Sequence, residues 1–597
     1  MIEAMKTVTL VALARYRDET LDVLRSLEAM HVQLLDRTPS DSLTEASKKL
    51  ESVHRAVGLL GGVLAVPEGA DPFAGLDPEN LFLRIQELQA QVLKLTEHLD
   101  ALRRNEELLA PWGEFDPASL AALRGSGLDV RLVLARESEM PEFPSHATVR
   151  EINRIEDRVY LVVISDRPIT AELPEATLPE GISLGALGKE IAETQNRLST
   201  VQAELAHAAR HIGTLNALVT RLADREEFLA ARDGMGEEAE LCYLSGYVPV
   251  RRIPALSAAA SQHGWALQVE DPDPDDISVP TLITVPKWLK VSKPIFDFVG
   301  ITPGYREFDI SAWFLIFFSL FFGILVGDGG YGVLFLAATL FARRKAKGDA
   351  RTALNLLMIL SICTITWGFL TGNYFGINKE VLPTFMQGVP WLAEFRNVQM
   401  VVFLIGAIHL SIAHTVKGIS VINSTLALSQ LGWMLIVWGN FFLGTSLVTG
   451  RETPFFLSWL YIAGAAMVIL FSVRNANILK AVGAGTGSLL GSLVNSFVDV
   501  LSYIRLFAVG LSSYYVAVSF NNMGMNIFEG STGVVAIALF LMGAVIIVFG
   551  HVLNIALCCL GVMVHGIRLN TLEFSGHLGL EWTGTPFRAF AKRFSKE

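Results

Sequence analysis

Asp499-Val500-Leu501-Ser502-Tyr503-Ile504-Arg505-Leu506-Phe507-Ala508-Val509-Gly510-Leu511-Ser512-Ser513 sets one arginine in the middle of an apolar helical run. Residues 489–520 are long and apolar enough to cross a bilayer, and a guanidinium at that depth costs about 2.5 to 3.5 kcal/mol on insertion scales. A cost of that size implies a function. Arginine keeps its proton in a low-dielectric site, so Arg505 is suited to hold a carboxylate ionised. The nearest acid, Asp499, is six residues away, about 240° round a helix at about 100° per residue, and does not face it. The partner of Arg505 is therefore expected on another chain.

Outward from this span the chain divides in two. At 597 residues and 51% hydrophobic content it exceeds one domain and is too apolar to be wholly soluble. Most acids and bases precede residue 290, and long uncharged runs follow Asp309. Membrane spans are expected at 312–326, 333–341, 354–372, 401–419, 426–448, 455–473, 489–520 and 534–569. Gly327-Asp328-Gly329-Gly330-Tyr331-Gly332 reads as the turn of a tight helical hairpin between the first two. No Lys-Ser or Lys-Thr follows it, so it is not a nucleotide loop, and the chain has no such loop elsewhere. Glu3 and Asp18 precede any apolar run, so no cleavable signal is expected and the first half stays cytoplasmic. Arg343, Arg344, Lys345, Lys347, Arg351, Lys417, Arg474, Lys480, Arg588, Lys592 and Arg593 then lie inside, against Lys379, Arg396 and Arg451 outside. That bias favours an even number of spans and a cytoplasmic C-terminus. A net charge of -11 weighs against nucleic-acid binding, and Cys242, Cys363, Cys558 and Cys559 have neither metal-ligand nor disulfide spacing.

In the first half, residues 6–12 and 32–35 read as strands around a helix over 18–30, and a helix from 42 to 65 is broken by Pro67 and the turn at 71–75. Leu81, Ile85, Leu88, Val92, Leu95, Leu99 and Leu102 then follow an unbroken heptad spacing. A second run has the same period: Leu187, Ile191, Thr194, Leu198, Val201, Leu205, Ala208, Ile212, Leu215, Val219 and Leu222. Strands are expected between the runs at 130–135, 148–152 and 158–164, and after them at 240–250 and 265–269. The insert between the arms favours an internal antiparallel hairpin over a dimeric coiled coil.

The last two spans carry the remaining polar side chains. Ser502, Ser512 and Ser513 accompany Arg505, while His551, Asn554, Cys558, His565 and Arg568 recur at about 3.5 residues and so are expected on one helix face. Polar faces are costly against lipid and should look into protein or water. Arg568 is expected near the cytoplasmic end of the final span, either in water or snorkelling to the surface. His409 and His414 read as hydrogen bonders between helices.

The Arg505 stretch, together with His565-Gly566-Ile567-Arg568-Leu569 and Glu573-Phe574, resembles the V-type ATPase a subunit, called subunit I in bacteria and archaea. The glycine-rich hairpin, Pro111-Trp112-Gly113 and Gly246-Tyr247-Val248-Pro249 are similar to further motifs of that family. The resemblance implies an α+β cytoplasmic half, two α/β lobes joined by an antiparallel coiled-coil rod, followed by an all-α polytopic membrane domain of about eight helices. The implied divisions are a cytoplasmic domain over 1–290, with a proximal lobe (1–66 and 235–285), a rod (42–109 and 184–232) and a distal lobe (110–183); a linker over 291–310; a membrane domain over 311–570; and a cytoplasmic tail over 571–597.

The implied function is that of a stator in the plasma membrane which forms ion half-channels beside a rotor ring and couples rotation to H+ or Na+ passage, without hydrolysing ATP itself. Arg505 would oppose a rotor carboxylate, Arg568 would assist, and Ser502, Ser512, Ser513, His551, Asn554, His565 and Glu573 would line the channels. Expected partners are the proteolipid c/K rotor ring, peripheral-stalk subunits of the E/G type, a ring-to-shaft adaptor of the d/C type, the ATP-hydrolysing A/B sector indirectly, and lipid; no nucleic acid, cofactor or metal is expected. Eukaryotic members have a glutamate before the second arginine and a histidine after the first, where this chain has Cys558 and Ser513. The rival reading is a self-contained secondary transporter or channel with a cytoplasmic scaffold, which predicts internal repeats and a broken-helix substrate site.

Overall fold

The computed structural model describes residues 2–34, 39–62, 71–179, 181–286, 288–472, 478–527 and 533–593. Pro67 and Arg474, and the last residues of the expected elements 32–35, 42–65 and 455–473, lie outside these residues. The chain opens with β1 (Met5–Leu13), α1 (Arg17–Leu27) and β2 (His31–Gln33). Helices α2 (Asp41–Gly61) and α3 (Pro78–Leu109) lead away to α4 (Pro117–Gly125) and the strands β3 (Asp129–Arg136), β4 (Thr148–Ile155) and β5 (Arg158–Ser165). Helices α5 (Leu184–Ala208) and α6 (Ile212–Asp233) return, and β6 (Gly236–Glu238), β7 (Leu241–Pro249), α7 (Ile253–His263) and β8 (Ala266–Glu270) complete the half.

Alternation in β1 turns Val8, Leu10 and Ala12 into a core shared with Leu24, Phe228 and Leu244. The sheet order is β2-β7-β1-β8, with β6 on β7, all antiparallel. The chain-opening strand–helix–strand unit is therefore present, but β7 separates its two strands. A second sheet, β3-β5-β4, buries Val133, Leu161 and Val163. Between the sheets α3 and α5 run antiparallel, as the pairs Arg84–Glu204 (2.8 Å) and His98–Glu190 (3.3 Å) require. Leu81, Ile85, Leu88, Leu99, Leu102, Leu187 and Ile191 are buried, each contributing about 1.5 to 3 kcal/mol. The second heptad run is not one helix: a 3-10 turn at Ala209–His211 interrupts it, where His211 Nε2 meets Asp71 Oδ2 at 2.8 Å. Helix α3 ends in a 3-10 turn at Ala110–Trp112 with Gly113 at φ 74°, and Trp112 packs edge-on against Tyr160 of the second sheet.

The second half begins with α8 (Lys293–Val299) and continues through α9 (Ser311–Val326), α10 (Gly329–Arg343), α11 (Gly348–Thr371), α12 (Phe395–Ser420), α13 (Leu426–Thr449), α14 (Leu457–Phe471), α15 (Ile478–Ser502), α16 (Ile504–Asn526) and α17 (Gly533–Gly561). The last passes through π turns at Val562–Gly566 and Leu569–Phe574 into α18 (Ser575–Leu578). Among the described residues five helical segments are long and apolar enough to cross a membrane: α11, α12, α13, 482–526 and 535–578; α9, α10 and α14 are shorter apolar helices. Gly327 turns with φ 67°, and Asp328 caps α10 by accepting from the N–H groups of Gly330 (2.8 Å) and Tyr331 (3.1 Å). Both arms of this hairpin pack on α11.

The final helix does not stop at 570. It continues to Leu578, and the rest of the expected tail is bound to the first half. Thr281 N–H donates to Thr585 O (2.8 Å), Phe587 N–H to Thr281 O (2.9 Å) and Phe590 N–H to Met30 O (2.8 Å). Phe590 is buried in the core of the first sheet, and Arg593 pairs with Glu227 at 3.1 Å.

Candidate functional site

The long segment 482–526 breaks once, at Tyr503, whose N–H reaches Val500 O at 3.4 Å. Tyr503 is fully buried, and its hydroxyl meets His409 Nδ1 at 2.8 Å. The break frees carbonyls that need donors. Arg505, two residues on, supplies one: its Nε donates to Ser502 O at 3.2 Å.

The guanidinium then reaches an anion in its own chain. Arg505 Nη2 lies 3.2 Å from Glu573 Oε1, and Arg568 Nε lies 3.4 Å from the same oxygen. Side-chain exposure is 3% for Glu573, 24% for Arg505 and 52% for Arg568. Two expectations are corrected here. Arg505 has an intrachain carboxylate, invisible from the sequence because 68 residues separate the two. Arg568 is not at a helix mouth but level with Arg505, since the helix runs on to Leu578. The single polar stripe is corrected too. A π turn holds about one extra residue, so the face carrying His551, Asn554 and Cys558 does not continue in register through 562–574.

Two groups of polar side chains flank this centre. On the side nearer the first half, Asp499 Oδ2 meets His577 Nε2 (3.1 Å), His577 Nδ1 meets His414 Nε2 (2.9 Å) and His414 Nδ1 meets Gln430 Oε1 (3.0 Å). They edge a cavity of about 450 Å³ lined also by Lys417, Ser492 and Asn495. On the far side Tyr331 OH meets His551 Nδ1 (2.6 Å), and Asn554 donates to Tyr331 OH (3.1 Å) and to Ser513 O (2.9 Å). Ser513 Oγ contacts Val326 O (3.3 Å) and Cys558 Sγ (3.1 Å), and His551 Nε2 meets Asn521 Oδ1 (3.1 Å). Beside this group a second cavity, of about 320 Å³, is lined by Gly327, Asn373, Leu506, Gly510 and Tyr514. Arg505 stands between residues of the two cavities, Asp499 before it and Leu506 after it.

V-type ATP synthase subunit I of Borreliella burgdorferi is 30% identical over 629 aligned residues, covering 99% of this chain and 100% of the relative. The chain belongs to the V-type ATP synthase subunit I family. Subunit I 1 of Treponema pallidum is 30% identical over 98% of this chain and all of its own, and A-type subunit I of Archaeoglobus fulgidus is 26% identical over 59% of each. No family model matches the chain.

In this subunit I, the expected channel residues other than His565 separate into three sets. Arg505, Arg568 and Glu573 converge; Ser513, His551 and Asn554 form the far-side network; and the hydroxyls of Ser502 and Ser512 donate to carbonyls of their own helix, Val498 O (2.9 Å) and Ala508 O (2.8 Å). His565 is half-buried, and its Nδ1 has no partner among the described residues. Missed from sequence were Tyr331, Asn373 and Asn521 of the far-side group and Gln430 and His577 of the near side. Asp499 stood out in the sequence only as an acid that does not face Arg505, and its pairing with His577 was missed as well. His409 and His414 do join helices: the first sits between Phe317 and Phe574, ring centroids 3.9 and 4.3 Å away.

Proposed function

We propose that the chain is the membrane stator of a rotary V/A-type ATP synthase, with Arg505 opposing a carboxylate on each passing rotor subunit. Membership of the subunit I family supports the role, and the observation that carries the site is Arg505 placed in the chain between Asp499, which lines a polar cavity, and Leu506, which lines a separate, mainly apolar one. In this reading the cavity at Asp499 and His577 is the cytoplasmic half-channel and the one at Gly510 and Tyr514 the outer half-channel. A rotor acid reaching Arg505 meets an opposite charge, which at about 4 to 6 Å lowers a carboxylate's pKa by about 1 to 3 units, so the site gives up its ion there. The ion then leaves on the other side, and direct passage between the cavities is blocked by the fixed charge.

The first half is taken as cytoplasmic, with α3 and α5 as an antiparallel coiled-coil rod between a proximal and a distal lobe that bind the peripheral stalks. The eight apolar helices are taken as spans, the shorter α9, α10 and α14 among them. The tail's attachment to the first sheet supports placing both ends of the membrane half on one side. The rotor ring, stalk and adaptor subunits are the proposed partners. The rival transporter reading needs an open broken-helix site. The break between α9 and α10 is instead filled, because Asn373 Nδ2 donates to Gly327 O (2.9 Å) and Gly329 N–H to Asn373 O (2.9 Å).

The test is ATP-driven ion uptake by the assembled complex in sealed vesicles. Arg505→Ala and Arg505→Gln are expected to abolish uptake without loss of any subunit, and Arg505→Lys to rescue poorly because lysine loses its charge more readily on burial. Uptake by Arg505→Ala at the wild-type rate overturns the reading.

A further inference from the structure

We propose that Glu573 is a resident counter-anion that holds Arg505 between rotor arrivals and is passed to Arg568 when a rotor carboxylate takes its place. The inference rests on the reading of Arg505 given above and adds a positioning residue to it. Three observations carry it. Both guanidinium groups address one carboxylate oxygen, Oε1, at 3.2 and 3.4 Å, so Glu573 can leave either arginine without becoming an unpaired buried charge. Its other oxygen, Oε2, is buried with no hydrogen-bond partner among the described residues, an acceptor left open for the remaining Arg568 donors. And the two arginines differ in freedom: Arg505 is tied by its Nε to Ser502 O, whereas Arg568 is half exposed.

The exchange balances in charge. A rotor site arrives as a carboxyl with its bound cation, H+ or Na+; the cation leaves to cavity water, Arg505 turns from Glu573 to the freed carboxylate, and Glu573 stays on Arg568. When the rotor site takes up a cation from the other cavity, Arg505 returns to Glu573. Neither arginine is unpaired at any stage, and the rotor acid competes with a carboxylate rather than with an empty site. Without that competitor Arg505 would grip the rotor carboxylate harder and reload it less readily. Of the other titratable groups, Asp499 and Tyr503 face Glu573, His565 lies by the two arginines and His577 is bonded to Asp499; none of them changes partner in the exchange.

The experiment measures ATP-driven uptake against pH, or against Na+ concentration if that is the ion, for the whole complex in vesicles. Glu573→Gln keeps the shape and removes the charge. It is expected to slow uptake about tenfold with passive leak unchanged, and to move the profile about one pH unit lower, or to about tenfold more Na+, because an unopposed Arg505 holds the rotor acid ionised. Arg568→Gln removes the second holder, leaves Glu573 on Arg505, and should move the profile the opposite way. Glu573→Asp should fall between Glu573→Gln and wild type. A purely structural role would scale the rates without moving the profiles. Unshifted profiles, or shifts of the two Gln variants in the same direction, overturn the exchange. If Arg505→Ala is inactive while Glu573→Gln behaves as wild type, only the exchange fails; if Arg505→Ala transports, the site reading itself fails.

Discussion

In the first half the buried centre is mostly apolar, with Val8, Leu10, Leu24, Phe228 and Leu244 inside, one buried ion pair, Arg25–Asp224, and further charged pairs such as Lys6–Asp271 and Arg17–Glu237 nearer the surface. In the membrane half Asn440, Asn554, Asn570, His409 and Glu573 are buried, while Val545, Val548, Phe549 and Val552 of the last long helix face outward. Water rewards the first arrangement and lipid permits the second. Helices in lipid gain nothing by hiding leucine, so they associate by close backbone approach and by hydrogen bonds between polar side chains. The two halves should therefore fail by different substitutions: lost apolar volume in one, added volume or lost polar pairing in the other.

The largest effect is expected where the two chemistries meet. Phe590 follows the last membrane helix yet is buried, 3% exposed, among Leu24, Phe228 and Leu256, with the Arg25 guanidinium 5.5 Å from its ring. Truncating a buried phenylalanine costs about 3 to 5 kcal/mol. Phe590→Ala should release the tail, and hydrogen exchange should quicken at Phe587 and Phe590, whose N–H groups are bonded to Thr281 O and Met30 O. Amides of α12 and α13 should be unaffected. Unchanged exchange in the tail would show that its backbone pairing holds without the side chain.

A smaller effect, and the converse one, is expected from adding a methyl group between membrane helices. A Cβ on Gly368 would lie 2.1 Å from Gly329 N, an overlap of backbones that only a shift of α10 against α11 relieves. Overpacking costs about 1 to 3 kcal/mol and sometimes more. Gly368→Ala should lower the melting temperature of the detergent-solubilised chain, whereas Gly58→Ala in α2, with nothing within 4 Å, should not. Equal melting of the two would remove close helix approach as the packing principle of this half.

The same contrast explains what could be read in advance. Heptads at Leu81 to Leu102 and period-two strands at Val133 and Ala135 and at Val159, Leu161 and Val163 repeat a local rule, and the elements formed where that rule placed them. Five of the expected spans, among the described residues, were legible as apolar runs long enough to cross a membrane, and the other three formed as shorter apolar helices. Their interior was not legible, because it depends on departures from regular helix: the break at Tyr503 and the π turns after Gly561 re-aim Arg505, Arg568 and Glu573 toward each other. The polar partners Tyr331, Gln430 and His577 come from distant segments, with no spacing signature to join them. The sequence marks 571–597 only as a tail, since nothing local says that Phe590 has a pocket more than 300 residues earlier.

The smallest expected effect tests the watery side of the comparison. Asp129 accepts from Arg131 Nε (3.3 Å) and Nη2 (3.2 Å) and from Ile169 N–H (2.9 Å) while its side chain is 26% exposed. The Arg131 hydrogen bond first, and then the Ile169 N–H, hold its carboxyl below the usual carboxylate range. A carboxyl depressed in the folded state contributes stability that is present above its unfolded pKa of about 3.9 and is lost as pH falls through the folded value. Because solvent screens the pair, the contribution is at most about 1 kcal/mol. Asp129→Asn should therefore lower the melting temperature of the distal sheet slightly at pH 7, and the difference from wild type should shrink once the pH drops below the ordinary carboxylate range. Asp328 receives two N–H groups in a similar way but is 1% exposed beneath α11, where bulk protons have no direct path. An Asp129→Asn difference that persisted undiminished at low pH would mean that the carboxylate's charge is not what stabilises the distal sheet, and the effect would then have to come from the shape of the Asp129–Ile169 turn.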